Sequence, residues 1–170
     1  MAAGQVGQAA SAGAPELAEM PGAMGSGLAA ALDAYFAIGD KLAGDTAGGI
    51  DEPARALAAA LHSVIGVEIP GHEHFWHQHT EAATARGKAL ELIGMAEIAD
   101  AREAFADLSV AMDTLVRATG VPPGYGSPVQ SLHCPMFREG QGGGTWLQPE
   151  GSARNPFFGS MMLRCFDKRE

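Results

Sequence analysis

Between Ser26 and Thr119 four stretches repeat apolar residues at helical spacing, and glycine or proline cuts each one off. A chain patterned this way buries one stripe per helix, so packed helices are the architecture it can reach most directly. Leu28, Ala31, Leu32, Tyr35, Phe36, Ile38 and Leu42 define the first stripe, with Ser26 as N-cap and Gly44 as terminator. Asp51-Glu52-Pro53 opens the second with an acceptor, an acidic first turn and an early proline; Leu57, Leu61, Val64 and Ile65 follow, and Gly66 ends it. The third is expected as one long helix from about Glu73 to Gly94, with Phe75, Trp76, Ala82, Ala83, Leu90, Leu92 and Ile93 on its apolar side. The fourth is expected from about Ala96 to Thr119, with Phe105, Leu108, Met112, Leu115 and Val116 inward and Gly120-Val121-Pro122-Pro123 as its stop. Short connections favour an antiparallel four-helix bundle.

The ends of the chain are different in character. Met1 to Gly25 is Ala, Gly, Pro and Gln with little periodicity, the composition of a flexible tail, so residues 26–170 are expected to form the domain. Past Pro123 the helical pattern stops. Val129–His133 and Thr145–Leu147 suit short strands, separated by Gly140, Gly142, Gly143 and Gly144. The fold class is therefore mainly α, a bundle carrying a loop-rich C-terminal segment with short β-strands.

Charge and motifs remove several function classes. A net charge of −9 without a Lys/Arg cluster argues against nucleic-acid binding. No apolar run approaches the roughly 18 residues a membrane span needs. The first 25 residues lack a basic start and a Leu-rich core, so either the protein is cytoplasmic or this is a processed or excised piece of an exported one. The run Gly140-Gln141-Gly142-Gly143-Gly144 has no Lys-Ser/Thr of a phosphate loop, and Cys-x-x-Cys, Cys-x-x-Cys-His and His-Glu-x-x-His are all missing. With no nucleophile and base at a recognisable spacing, the expectation is a protein that is not an enzyme.

Both cysteines stand near methionine, in His133-Cys134-Pro135-Met136 and in Met161-Met162-Leu163-Arg164-Cys165. Thiolate and thioether sulfurs are soft donors that suit Cu(I) or Ag(I), so Cys134, Met136, Met162 and Cys165 are candidate ligands, with His133 as a fifth. The same two cysteines also suit a disulfide, which would stabilise the fold by roughly 3.5 kcal/mol in an exported protein, or plain buried thiols. A second cluster, His72, His74, His77 and His79 with Glu81 beyond it, would suit Zn(II) or Cu(II) if a helix aimed its nitrogens one way. Met20 and Met24, in the tail, are weaker candidates for copper capture.

Several segments together resemble a known family: Phe75-Trp76-His77-Gln78-His79, the stretch from Ala101 to Ser109, His133-Cys134-Pro135-Met136, Trp146-Leu147-Gln148, and Asn155-Pro156-Phe157-Phe158-Gly159 with Met162 to Cys165. They look like an uncharacterised domain at the C-terminus of periplasmic adaptor (membrane-fusion) subunits of copper/silver-type heavy-metal RND efflux pumps, which also occurs in separate exported proteins. The likeness spans about Gly25 to Cys165. It implies a periplasmic setting, copper or silver as the metal, efflux-pump components as partners, and a structural role for Trp76 and His77 against the C-terminal segment. The chain shows none of the adaptor's lipoyl, hairpin or barrel domains and continues past Cys165 to Glu170, so a separate exported homologue or an excised adaptor terminus is expected. On this reading the protein is a Cu(I)/Ag(I)-binding domain of metal efflux or resistance; the alternative is a metal-free interaction module tied by a Cys134–Cys165 disulfide.

Overall fold

The computed structural model describes Pro15 and residues 17–168. Within them are helices α1 (Gly22–Ala43), α2 (Asp51–Ile65), α3 (Phe75–Gln78), α4 (Glu81–Glu91) and α5 (Ile98–Thr119), and strands β1 (Val129–Cys134), β2 (Gly144–Pro149) and β3 (Asp167–Lys168). A 3-10 turn, Gly159–Met161, precedes β3. The protein is thus mainly helical with a small antiparallel sheet of order β2-β1-β3.

Helix α1 starts at Gly22, four residues before the expected Ser26, because Pro21 presets its backbone (φ −56°) and accepts from the Gly25 N–H at 2.9 Å. Met24 is consequently a fully buried core residue and Leu17 is buried in the same core, so the end of the expected tail belongs to the fold. Residues 1–14 and Glu16 lie outside the described residues.

The single long third helix does not form. His79 leaves helical geometry (φ −108°, ψ 74°), and the chain divides into α3 and α4. Trp76 Nε1–H donates to the Val67 carbonyl at 3.1 Å, and the Phe75 ring lies 4.2 Å from that of His79. These contacts fix α3 as a separate turn. Phe75 and buried Ala82 are about two helical turns apart, so the stripe keeps its phase across the break and periodicity alone cannot reveal it.

Helix α1 packs on α2, α2 on α4, and α4 on α5, whereas α1 and α5 meet sparsely. Strand β2 sits between those two ends. Tyr35 of α1 stacks on Phe105 of α5 at 4.9 Å, its hydroxyl bonds Ser109 Oγ at 2.7 Å, and it accepts the Leu147 N–H at 3.1 Å. Helices α1 and α5 are therefore joined through a strand as well as through their sparse direct contact.

Candidate sulfur site

The C-terminal segment is positioned by polar contacts to the helices. Arg102 Nε–H donates to the Pro156 carbonyl at 2.8 Å while its Nη2 reaches the Leu42 carbonyl (2.8 Å) and Asp45 Oδ1 (3.0 Å). Asp45 Oδ2 in turn accepts the Ser160 N–H at 3.1 Å. A side chain at Gly159, whose φ is +58°, would run into the Asp45 carboxylate and the Arg102 guanidinium, so only glycine fits there. Arg138, itself at φ +50°, bonds Glu103 Oε2 (2.7 Å) and Asp107 Oδ1 (3.0 Å) one turn apart on α5.

Rings fill the space beneath. Phe157 stacks on Phe137 at 4.5 Å and meets Trp146 edge-on at 5.9 Å. Gly144, opposite Cys134 in the β1–β2 register, has no room for a Cβ, which would come within 2.6 Å of the Phe157 ring.

On this base the two cysteines meet. Register sets His133 opposite Asp167, which brings Cys134 level with the residue after Cys165. The sulfurs are unbonded to each other, Sγ to Sγ 3.7 Å, with the Cys134 thiol directed at Cys165. Cys134 is fully buried and Cys165 half-buried. Burial, first, and then the Cys134 hydrogen bond and the Cys134 and Asp167 charges push the Cys165 thiol up. A metal that binds Cys165 must therefore displace its thiol proton.

The other expected ligands divide. Met162 is half-buried and starts a turn closed by the Cys165 N–H on its carbonyl at 3.0 Å, so it stays close to Cys165 along the chain. Met136 is 45 % exposed on the turn after β1, and neighbouring Met161 is 80 % exposed. His133 does not join the sulfurs. Adjacent strand residues point to opposite faces, and its Nδ1 lies 2.8 Å from Asp167 Oδ1 with Nε2 2.7 Å from the Gly142 carbonyl. Met24 is sealed in the core and Met20 packs against it.

The histidine cluster does not converge. His79 Nδ1 pairs with Glu81 at 3.0 Å, His74 and His77 stack at 6.0 Å, and His72 meets Phe75 edge-on. His72 and His77 line a cleft of ≈ 500 Å³ with Glu73 and Trp76. Among the described residues no three His, Cys, Asp or Glu side chains are grouped as metal ligands. Trp76, expected against the C-terminal segment, is instead committed to Val67 and Phe75 because α3 follows the loop after α2.

Sequence reasoning missed Asn155, Arg102 and Asp45. Asn155 carried a usable signal, since Asn followed by proline and aromatics suits a side chain that caps its own turn. Arg102 and Asp45 act through contacts 57 residues apart, for which local sequence has no sign.

The geometry defines a mainly helical domain in which Cys134, at the end of β1, meets Cys165, on the turn before β3. Residues 31–124 match a family described as a protein of unknown function (DUF3347), and since the match covers more than half of the chain, the chain belongs to that family. The match runs from within α1 to the turn after α5; both cysteines lie beyond it. No curated protein and no solved structure matches the chain. No helix among the described residues is long and apolar enough to cross a membrane.

Proposed function

We propose that this protein binds a soft monovalent metal, Cu(I) or Ag(I), between Cys134 and Cys165. The observation that carries the reading is the 3.7 Å between their sulfurs. Two thiolates sharing a tetrahedral ion at metal–sulfur distances of about 2.3 Å stand about 3.8 Å apart, so the pair is spaced to share an ion with little movement. Half-buried Met162, three residues before Cys165, and Met136, two residues after Cys134 on the exposed turn, are the thioethers that would complete a soft donor set. A binding protein of this kind, rather than an enzyme, fits a periplasmic place beside a copper or silver efflux system, with pump components as partners. That setting rests on the resemblance of the motif segments.

The same proximity favours a second reading, in which a Cys134–Cys165 disulfide ties β1 to the last turn and the domain serves as an interaction module. One titration separates the two. Fully reduced protein is titrated with Cu(I) against a chromophoric chelator, beside Cys134→Ser and Cys165→Ser. One tightly held ion in the wild type and an affinity at least about a hundredfold weaker in each variant is expected, a loss typical of removing a ligand rather than its support. Equal affinity in all three would overturn the metal site.

A further inference from the structure

Building on the soft-metal reading of the cysteine pair, we propose that Asn155 is its positioning residue, the buried amide that sets the separation of the two sulfurs. Asn155 is fully buried and bonds on three sides. Its Nδ2–H donates to the Cys165 carbonyl at 2.9 Å, and its backbone N–H donates to the Leu163 carbonyl at 2.9 Å, so the turn carrying Cys165 is held at two points. Its Oδ1 accepts the Phe157 N–H at 2.8 Å and the Phe158 N–H at 3.3 Å. The amide cannot be reversed without setting its NH₂ against those two donors. Phe157, fixed by that turn, packs on Phe137 and closes over Gly144 opposite Cys134. One side chain therefore links the wall beside Cys134 to the backbone of Cys165.

Other residues hold the same segment without touching Cys165. Arg102 takes the Pro156 carbonyl and Asp45 the Ser160 N–H, and a loss of either loosens docking in general. Asn155→Asp discriminates, because it keeps an oxygen for the Phe157 and Phe158 N–H groups and turns a second oxygen on the Cys165 carbonyl in place of the donor. Asn155→Ser is the second variant; its hydroxyl can cap the turn but is too short to reach Cys165. Asp45→Asn is the control, since asparagine tolerates the positive φ of 61° found there.

In the full-length chain three quantities are measured for each variant: Cu(I) affinity by chelator competition, the thermal midpoint, and the dithiol–disulfide equilibrium against glutathione. In that exchange one Cys134–Cys165 disulfide forms as one glutathione disulfide is reduced to two glutathione thiols, which take up the two cysteine protons. Asn155→Asp and Asn155→Ser are expected to lower Cu(I) affinity about 10- to 100-fold and to shift the glutathione equilibrium, while Asp45→Asn lowers the thermal midpoint and leaves both other readouts in place. If the Asn155 variants lose only thermal stability and keep both sulfur readouts within about twofold, the positioning role is overturned. A wild type that does not bind Cu(I) would remove the metal reading alone, because the glutathione equilibrium still reports whether Asn155 sets the sulfur separation.

Discussion

From Gly22 to Thr119 the chain is held by apolar side chains of neighbouring helices, whereas from Val129 to Lys168 the bonds that fix it reach back 31 to 115 residues. Leu28, Leu32, Leu57, Leu61 and Leu115 are all buried, each worth about 1.5–3 kcal/mol on leaving water. Such stripes tolerate sliding by a fraction of an ångström. The C-terminal segment instead depends on Arg102, Asp45, Tyr35 and Arg138, whose hydrogen bonds have one geometry each. A site that must hold two sulfurs at a fixed distance is better built on the second kind of support, and both cysteines are found there.

The strongest way to break this contrast is Trp146→Ala. Trp146 is buried at the junction, paired opposite Leu132 on β1 and edge-on to Phe157, and its Nε1–H donates to Gln148 Oε1 at 3.0 Å. Its removal is expected to cost about 3–5 kcal/mol. Thermal unfolding gives the cost, and reaction of Cys134 with an aromatic disulfide reagent reports release of the strands. An unchanged midpoint with Cys134 still protected would mean that the strands do not depend on this ring.

Tyr35→Phe tests the joint itself. The hydroxyl is buried, and burial above all pushes its pKa up, so it stays protonated and serves Ser109 and the Leu147 N–H together. Deleting one oxygen leaves two buried polar groups without that partner, at an expected cost of about 1–3 kcal/mol in a denaturant titration. A cost near zero would show that helix packing alone joins α1, α5 and β2.

The two regions were also unequally legible. Stripes of three and four residues marked α1, α2 and α5 because burial on a helix repeats locally, and alternation marked β1 and β2 to within a few residues. A two-residue β3 carries no pattern, yet it is the strand that brings Cys165 to Cys134. Soft-donor chemistry picked out the cysteine pair, but His133 was grouped with it by adjacency although a strand turns neighbours apart. The resemblance sets Trp76 against the C-terminal segment, but Phe75 and the loop before it supply its cover instead. The anchors were invisible for a different reason, since Asp45 and Ser160 meet only after the whole helical frame has formed.

The smallest expected effect concerns acid. Hydrogen bonds from Ser160, and then from Arg102, hold the Asp45 carboxyl below its ordinary value of 3.8. A carboxyl with a lowered folded pKa favours folding while it is ionised, so its contribution is complete above the unfolded value and disappears as pH falls through the folded one. Asp45 is exposed to solvent, which screens the pairing and keeps the effect small. Thermal midpoints of wild type and Asp45→Asn should therefore differ at about pH 6 and converge below about pH 4. A gap between the two proteins that stays constant down to about pH 2 would show that the carboxylate's charge takes no part, leaving the Arg102 contacts to Leu42 and Pro156 as the anchor of the C-terminal segment.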